Sequence, residues 1–154
     1  MKKILVIAPH PDDEILGVGG TMIKHIKKGD EVYVCIVTRG YPPFFNEQRT
    51  EINRADARRC HSEIGVKQTV FLDFPAAALE TANRFELNGK LLEVIKSIAP
   101  DEVYIPHIGD MQKDHKIVNE ACMVALRPKY FPQVKKILCY EYRKQDRAAH
   151  TALL

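Results

Sequence analysis

Two clusters of histidine and aspartate are the part of this sequence whose residue types and spacing could do chemistry. Their members are His10, Asp12 and Asp13 in the first cluster, and His107, Asp110, Asp114 and His115 in the second. Imidazole nitrogens and carboxylate oxygens bind zinc, and three protein ligands with a fourth position left for water are typical of catalytic sites, whereas structural sites are closed by four. We interpret His10, Asp13 and His115 as such a ligand set, with Zn²⁺ the expected ion and another divalent metal the alternative.

Asp12 is the sequence neighbour of a predicted ligand, so we do not expect it to share the same metal geometry. It can instead lie beside a metal-bound water and take its proton as a general base. The plain alternative is that this acidic run starts a helix, with Asp12 or Asp13 as the N-cap and Glu14 favouring the positive helix end. In the second cluster, His107 could be a simple strand-end residue and Asp114 an N-cap.

Each cluster follows a predicted strand. The five consecutive apolar residues from Ile4 to Ala8 favour a strand buried on both faces, as in a parallel sheet. Another strand is predicted over Glu102–Pro106. Because the carboxyl ends of parallel strands lie along one edge of a sheet, where open α/β folds bind their ligands, the fold can bring the two clusters together.

Strands and helices alternate along the chain. We predict strands at 3–8, 31–38, 69–73, 102–106 and 136–140, and helices at 14–28, 47–64, 88–99 and 114–126. This order predicts an α/β protein with a three-layer Rossmann-like fold, in which a mostly parallel sheet of about five strands carries helices on both faces. Helical spacing places Leu16 and Ile23 on the inner face of the first helix and Ile52 on that of the second.

The composition excludes several classes of protein. The chain of 154 residues suits one domain with its own core, and 45% hydrophobic with 28% charged residues is usual for a globular protein. The net charge of +3 is scattered, so nucleic-acid binding is not expected, and no apolar run reaches the length of a membrane span. The first apolar run is short and ends at Pro9, which indicates a core strand and not a signal peptide, so we expect a cytoplasmic location.

Several other residues are interpreted as structural. The cysteines show no C-x-x-C spacing and are expected to be buried free thiols; they are Cys35, Cys60, Cys122 and Cys139. The histidines outside the two clusters are expected on the surface or in packing; they are His25, His61 and His150. Three glycines lie inside the first helix, which favours close packing on the sheet over a dinucleotide-binding loop; they are Gly17, Gly19 and Gly20.

At the two clusters the chain resembles the LmbE-like, or GlcNAc-phosphatidylinositol-type, de-N-acetylases. The stretch 8–21, APHPDDEILGVGGT, is similar to that family's opening motif, and the stretch 106–115, PHIGDMQKDH, is similar to its second motif. The similarity covers nearly all of residues 3–141 in order. It implies a zinc-dependent hydrolase that removes the acetyl group from an N-acetylated amino sugar, a small-molecule conjugate of the N-acetylglucosamine type.

The resemblance also implies roles for individual residues. By position, His10, Asp13 and His115 match the metal ligands, and Asp12 matches the general base. Asp114 matches a carboxylate that orients the side chain two positions before it.

The resemblance is less direct for substrate binding. Members of the family use an arginine of the helix after the second strand to contact substrate, and Asn53 falls at that place in this chain. We therefore assign substrate binding to the neighbouring Arg54, with Arg49 on the same helix and Asp110 in the second motif.

The chain departs from the family at Gln112, where relatives have a histidine that stabilises the oxyanion and protonates the leaving amine. Glutamine can donate a hydrogen bond but cannot carry a proton, and losing general acid assistance costs roughly two to four orders of magnitude in rate. We expect His107 to substitute in part.

The chain also departs from the family at its end. The resemblance stops near Glu141, whereas relatives continue. We therefore assign a de-N-acetylase domain to 1–141 and an atypical C-terminal tail to 142–154, and expect the short end to leave a more open pocket and, with Gln112, an impaired activity.

Two other functions stay open. Gln112 and the short end favour a degenerate, non-catalytic relative that binds metal or sugar. A metal-dependent phosphohydrolase ranks lower, because Asp12 has no D-x-D partner after the first strand. An exposed sheet edge would make a homo-oligomer plausible.

Overall fold

The computed structural model describes residues 1–141. In this part of the chain the strands are β1 (Lys3–Ala8), β2 (Glu31–Arg39), β3 (Gln68–Pro75), β4 (Glu102–Pro106) and β5 (Lys136–Tyr140). The α-helices are α1 (Asp13–Lys27), α2 (Glu47–Ile64), α3 (Arg84–Ile98) and α4 (Lys113–Ala125), and a 3₁₀ turn covers Leu79–Thr81. The predicted tail at 142–154 lies outside the described residues, and the domain boundary at residue 141 stays a prediction.

The strands form one parallel sheet in the order β3-β2-β1-β4-β5. Because side chains alternate along a strand, β1 contributes to two cores at once. Ile4 and Val6 pack with Met22 of α1, while Leu5 and Ile7 belong to the larger core that includes side chains of α3 and α4. The predicted three-layer Rossmann-like fold, with helices on both faces, is confirmed.

The strand order reverses beside β1. From β1 the chain moves through α1 to β2 and on to β3, and α3 then returns it across the sheet to β4 on the other side of β1. The crevice at the carboxyl ends of β1 and β4 is therefore the point at which such folds bind ligands. Both chemistry-bearing clusters follow these two strands.

The inner faces of α1 and α2 differ from the prediction. Leu16 is 52% exposed and Ile23 is 38% exposed, whereas Glu14 and Met22 are buried, so the inner stripe of α1 starts from its acidic first turn. On α2 Ile52 is 50% exposed, and the buried residues are Thr50, Arg54, Ala57 and His61. The prediction was wrong because it looked for apolar side chains, whereas both helices bury polar ones near the site.

The last described strand is locked to the first helix. The Tyr140 ring lies where a side chain at Gly17 would have to go, and its hydroxyl donates to the carbonyl oxygen of Ile7 at 3.0 Å. Close packing therefore explains Gly17. The four cysteines are free, but Cys139 is exposed on β5 and Cys60 is half-buried, so burial was predicted correctly only for Cys35 and Cys122.

No helix within residues 1–141 is both long enough and apolar enough to cross a membrane.

Candidate metal centre

The first cluster is fixed by the turn between β1 and α1. The carbonyl oxygen of Pro9 accepts from both the backbone N–H and the hydroxyl of Thr38 on β2, at 2.9 and 2.7 Å. The His10 backbone N–H then donates to Asp13 Oδ2 at 2.9 Å, and the Asp13 N–H lies 3.3 Å from the His10 carbonyl oxygen. This closed turn directs both side chains into the crevice.

Three side chains converge at the crevice. His10 Nδ1 lies 3.0 Å and His115 Nε2 lies 3.1 Å from the same oxygen, Asp13 Oδ2. One ligand atom from each residue lies within 4.8 Å of the other two, and Asp13 and His115 are almost fully buried. Two imidazole nitrogens and a carboxylate oxygen suit a zinc ion and leave coordination positions open.

Each of the two histidines has a second carboxylate on its outer nitrogen. His10 Nε2 lies 2.9 Å from Asp114 Oδ2, and His115 Nδ1 lies 3.0 Å from Asp110 Oδ2. An outer N–H that donates to a carboxylate leaves the inner nitrogen with a lone pair, which is the tautomer a metal ligand needs. The donor set therefore fits a divalent metal.

The two outer carboxylates are themselves held. Asp114 accepts from the backbone N–H groups of Ala77 and Leu79, at 2.7 and 3.3 Å, so it also fixes the segment after β3. Asp110 Oδ1 accepts from the Gln112 N–H at 2.8 Å. Gln112 occupies the N-cap position of α4, so the interpretation of Asp114 as that N-cap is wrong.

The electrostatics of the cluster favour ionised carboxylates. Burial alone would raise the pKa of Asp13, but hydrogen bonds with His10 and His115 hold it well below its usual range. Burial would also raise the pKa of Asp114, but its hydrogen bonds with His10 and the Ala77 N–H outweigh this and lower the pKa. For His10, burial lowers the pKa, but its bonds to Asp114 and Asp13 outweigh this and raise it to about 9. The cluster thus attracts a positive charge to its centre.

Asp12 stands at the N-cap position of α1, but its side chain makes no capping hydrogen bond. Its backbone has φ 138° and ψ −24°, in a region that non-glycine residues rarely adopt. It lines a cavity of about 320 Å³ together with His10 and Gln112. The structure therefore brings the predicted base, one ligand and the predicted oxyanion donor to one cavity.

The structure does not bring His107 to this cavity. Its side chain is exposed, does not line the cavity, and accepts a hydrogen bond from the Gly109 N–H at 3.0 Å through Nδ1.

The predicted substrate residues lie at different depths. Arg54 is buried and lines the cavity. Its guanidinium pairs with Asp73, and its Cζ lies 4.2 Å from the centroid of the Phe71 ring. Arg49 is exposed and lines a neighbouring cleft of about 480 Å³ between α1 and α2, which shares Asn53 with the cavity. Asp110 contacts His115, as described above. Their assignment to substrate stays a prediction.

The sequence gives no indication that Glu14 and His61 form a buried pair. Both are about 1% exposed, and His61 Nε2 lies 2.8 Å from Glu14 Oε1. The buried residues of α2, at positions 50, 54, 57 and 61, are mainly polar, so hydrophobic periodicity gives no signal for this face.

Comparison with known proteins shows the family to which the chain belongs. The family model described as GlcNAc-PI de-N-acetylase (PIG-L) matches residues 5–126. The chain is 31% identical over 150 residues to "Uncharacterized deacetylase YaiS" of Escherichia coli (strain K12), a match that covers 91% of this chain and 74% of that protein. It is 26% identical over 134 residues to "Probable N-acetyl-alpha-D-glucosaminyl L-malate deacetylase 2" of Bacillus anthracis, covering 81% of this chain and 59% of that protein.

Among solved structures, the N,N'-diacetylchitobiose deacetylase of Pyrococcus horikoshii superposes with a TM-score of 0.77 at 24% identity. The match covers 99% of this chain and 66% of the other, and it shows a shared fold. The chain therefore spans between about three fifths and three quarters of the length of these proteins.

Proposed function

The chain belongs to the GlcNAc-PI de-N-acetylase family, and from that premise we propose that it is a zinc-dependent hydrolase that removes the acetyl group from an N-acetylated amino sugar. The family resemblance seen in the two motifs is thereby confirmed, and deacetylases are what the chain is similar to. The observation that carries the proposal is the convergence of His10 Nδ1, Asp13 Oδ2 and His115 Nε2, with Asp12 on the wall of the adjoining cavity.

Zinc held by these three residues would supply a Lewis acid that polarises the acetamide carbonyl and makes a water molecule more acidic. Asp12 accepts the proton of the attacking water as the water oxygen bonds to the carbonyl carbon. The Gln112 side-chain amide donates a hydrogen bond to the carbonyl oxygen as negative charge develops there. Asp12 then returns the proton to the amine nitrogen as the carbon–nitrogen bond breaks, giving acetate and the free amino sugar.

The cavity suits a small polar ligand. Its volume of about 320 Å³ lies at the lower end of the range for small-molecule sites. Polar side chains along its wall, including Arg39, Asn53 and Arg54, can bind hydroxyl groups. We assign the amino sugar to this cavity and the remainder of a conjugate to the cleft lined by Arg49.

Gln112 favours one alternative, a relative that binds metal or sugar without turnover. A glutamine cannot donate a proton to the leaving amine, so Asp12 must make both proton transfers. Reduced turnover, a cytoplasmic location and self-association remain predictions for this chain.

The test is an acetate-release screen over N-acetylglucosamine conjugates, combined with metal analysis. Asp12→Asn keeps the size of the side chain and is expected to retain the metal while acetate release falls by roughly two to four orders of magnitude. Normal acetate release by this variant would show that Asp12 is not the base. Stoichiometric zinc in the wild type without acetate from any conjugate would favour the binding protein.

A further inference from the structure

A buried pair lies behind the proposed base. The side chains of His61 and Glu14 are 2% and 1% exposed, and they meet at 2.8 Å between Nε2 and Oε1. Burying an imidazole and a carboxylate is costly unless both are hydrogen-bonded, so a pair at this depth calls for partners at its two ends.

The pair has a partner at each end. His61 Nδ1 lies 2.8 Å from the Thr69 hydroxyl oxygen on β3. The second oxygen of Glu14, Oε2, accepts from the Asp12 backbone N–H at 3.2 Å. A continuous row thus runs from Thr69 through His61 and Glu14 to Asp12.

The row ends at a residue whose conformation needs support. With φ at 138°, Asp12 adopts a backbone region that is unfavourable for any side chain larger than that of glycine. Its N–H is held by Glu14, and its carbonyl oxygen accepts from the Leu16 N–H at 2.9 Å. With both peptide groups held, the residue is fixed beside the cavity.

We propose that Glu14, supported by His61 and Thr69, is a positioning residue that holds Asp12 in its reactive orientation. Neither Glu14 nor His61 lines the cavity that Asp12 shares with His10. Glu14 borders the neighbouring cleft, but its side chain is 1% exposed and both of its oxygens are taken by His61 and the Asp12 N–H, so it acts through Asp12. This inference rests on the proposed role of Asp12 as the base.

A purely structural role for the pair predicts an unchanged kcat in any variant of the pair that stays folded. Replacing a buried polar pair by apolar residues of similar volume is often neutral for stability. The double variant Glu14→Leu/His61→Leu should therefore stay folded under either role. If the pair positions Asp12, kcat falls by roughly 10- to 100-fold with KM and metal content unchanged, because small misplacement of a reacting group has effects of this size.

A double-mutant cycle tests whether the effect passes through Asp12. In an Asp12→Asn background the Leu pair should cause no further loss, since the group that it positions is already inactive. Glu14→Gln keeps an oxygen for the Asp12 N–H and should retain most of the kcat. Thr69→Val, which removes only the end of the row, is expected to cost about fivefold, the effect of one ordinary hydrogen bond.

Three kinetic outcomes overturn the proposal: an unchanged kcat in the Leu pair, an equal loss in the Asp12→Asn background, or a Glu14→Gln variant as impaired as the Leu pair. A separate readout does not depend on turnover. The Asp12 amide proton should exchange faster with solvent in the Leu pair than in the wild type and stay protected in Glu14→Gln, and unchanged protection in the Leu pair also overturns the proposal. Absence of acetate release by the wild type would instead count against the proposed function.

Discussion

Histidine–carboxylate pairs lie at both ends of the sheet, and the two ends use them differently. At the amino end His25 Nδ1 lies 2.8 Å from Asp30, its Nε2 lies 3.2 Å from the Tyr104 hydroxyl, and Asp30 also accepts from the Lys2 backbone N–H. At the carboxyl end two histidines face one oxygen of Asp13. Residue types alone therefore do not distinguish a metal site; the convergence of several donors on one point does.

Removing the shared carboxylate is the strongest way to break this comparison. Asp13→Ala is expected to lower metal affinity by more than about 100-fold, beyond the effect of losing an outer carboxylate, and to reduce acetate release to background. Asp30→Ala is the matched control, because it removes the carboxylate beside His25 at the amino end of the sheet. It should leave metal content and turnover unchanged. Equal metal loss in both variants, measured by elemental analysis, would contradict the assignment of the site.

The pH dependence of the metal-free protein sharpens the comparison. The pKa of His10 is raised from 6.5 to about 9 in the folded state, so its stabilising effect is complete below pH 6.5 and is lost as the pH rises through 9. Chelator-treated protein should therefore lose up to about 3 kcal/mol of unfolding free energy across this window, as measured by urea titration. Asp13 and Asp114, with lowered pKa values, stay ionised throughout and add no slope.

A His10→Gln variant serves as the control for that measurement. It keeps the buried thiols of Cys35 and Cys122, whose pKa values are raised by burial, to about 12 for Cys35, and whose stabilising effect is lost as the pH rises through the unfolded value of 9.0. The unfolding free energy of the variant should therefore stay constant from pH 6.5 to about pH 8. A wild type as flat as the variant would rule out the stabilising role of protonated His10.

The outer carboxylates should have a smaller effect. Asp114→Asn and Asp110→Asn each remove the charge behind one histidine and are expected to weaken metal binding by about 10- to 100-fold, as such partners do in other metal sites. Competition with a coloured zinc chelator measures this affinity. Asp30→Asn provides the parallel change behind His25, and a similar weakening there would mean that the effect is one of overall charge.

Much of the fold could be predicted because its strands are short apolar runs with clear ends. The bounds of β1, β4 and β5 agree with the prediction, and α2 is bounded by Asn46, whose side chain caps it, and by Gly65 in the left-handed region. α3 begins at Arg84 and not at residue 88, because the Asn83 side chain accepts from two N–H groups of the first turn. Asn83 followed three positions later by Glu86 is a sequence signal for this helix start.

The site was predictable only in its inner part. Spacing and the position after strands pointed to His10, Asp13 and His115, because these features depend on local sequence and on the parallel sheet. The contact of Asp110 with His115 and the buried pair of Glu14 and His61 depend on how α1, α2 and the loop before α4 pack together. Hydrophobic periodicity carries no information about such polar contacts.

His10 and Asp114 are 104 positions apart in the chain, and this distance sets an order of events during synthesis. A nascent chain that ends within β4 already contains His10 and Asp13 but lacks His115, the third residue of the candidate metal site. Binding of a metal by all three residues would therefore be a late step, which follows the packing of α4 against β4 and α3. Since an ion that binds only the finished site favours the folded chain by mass action, its capture would make the last stage of assembly difficult to reverse.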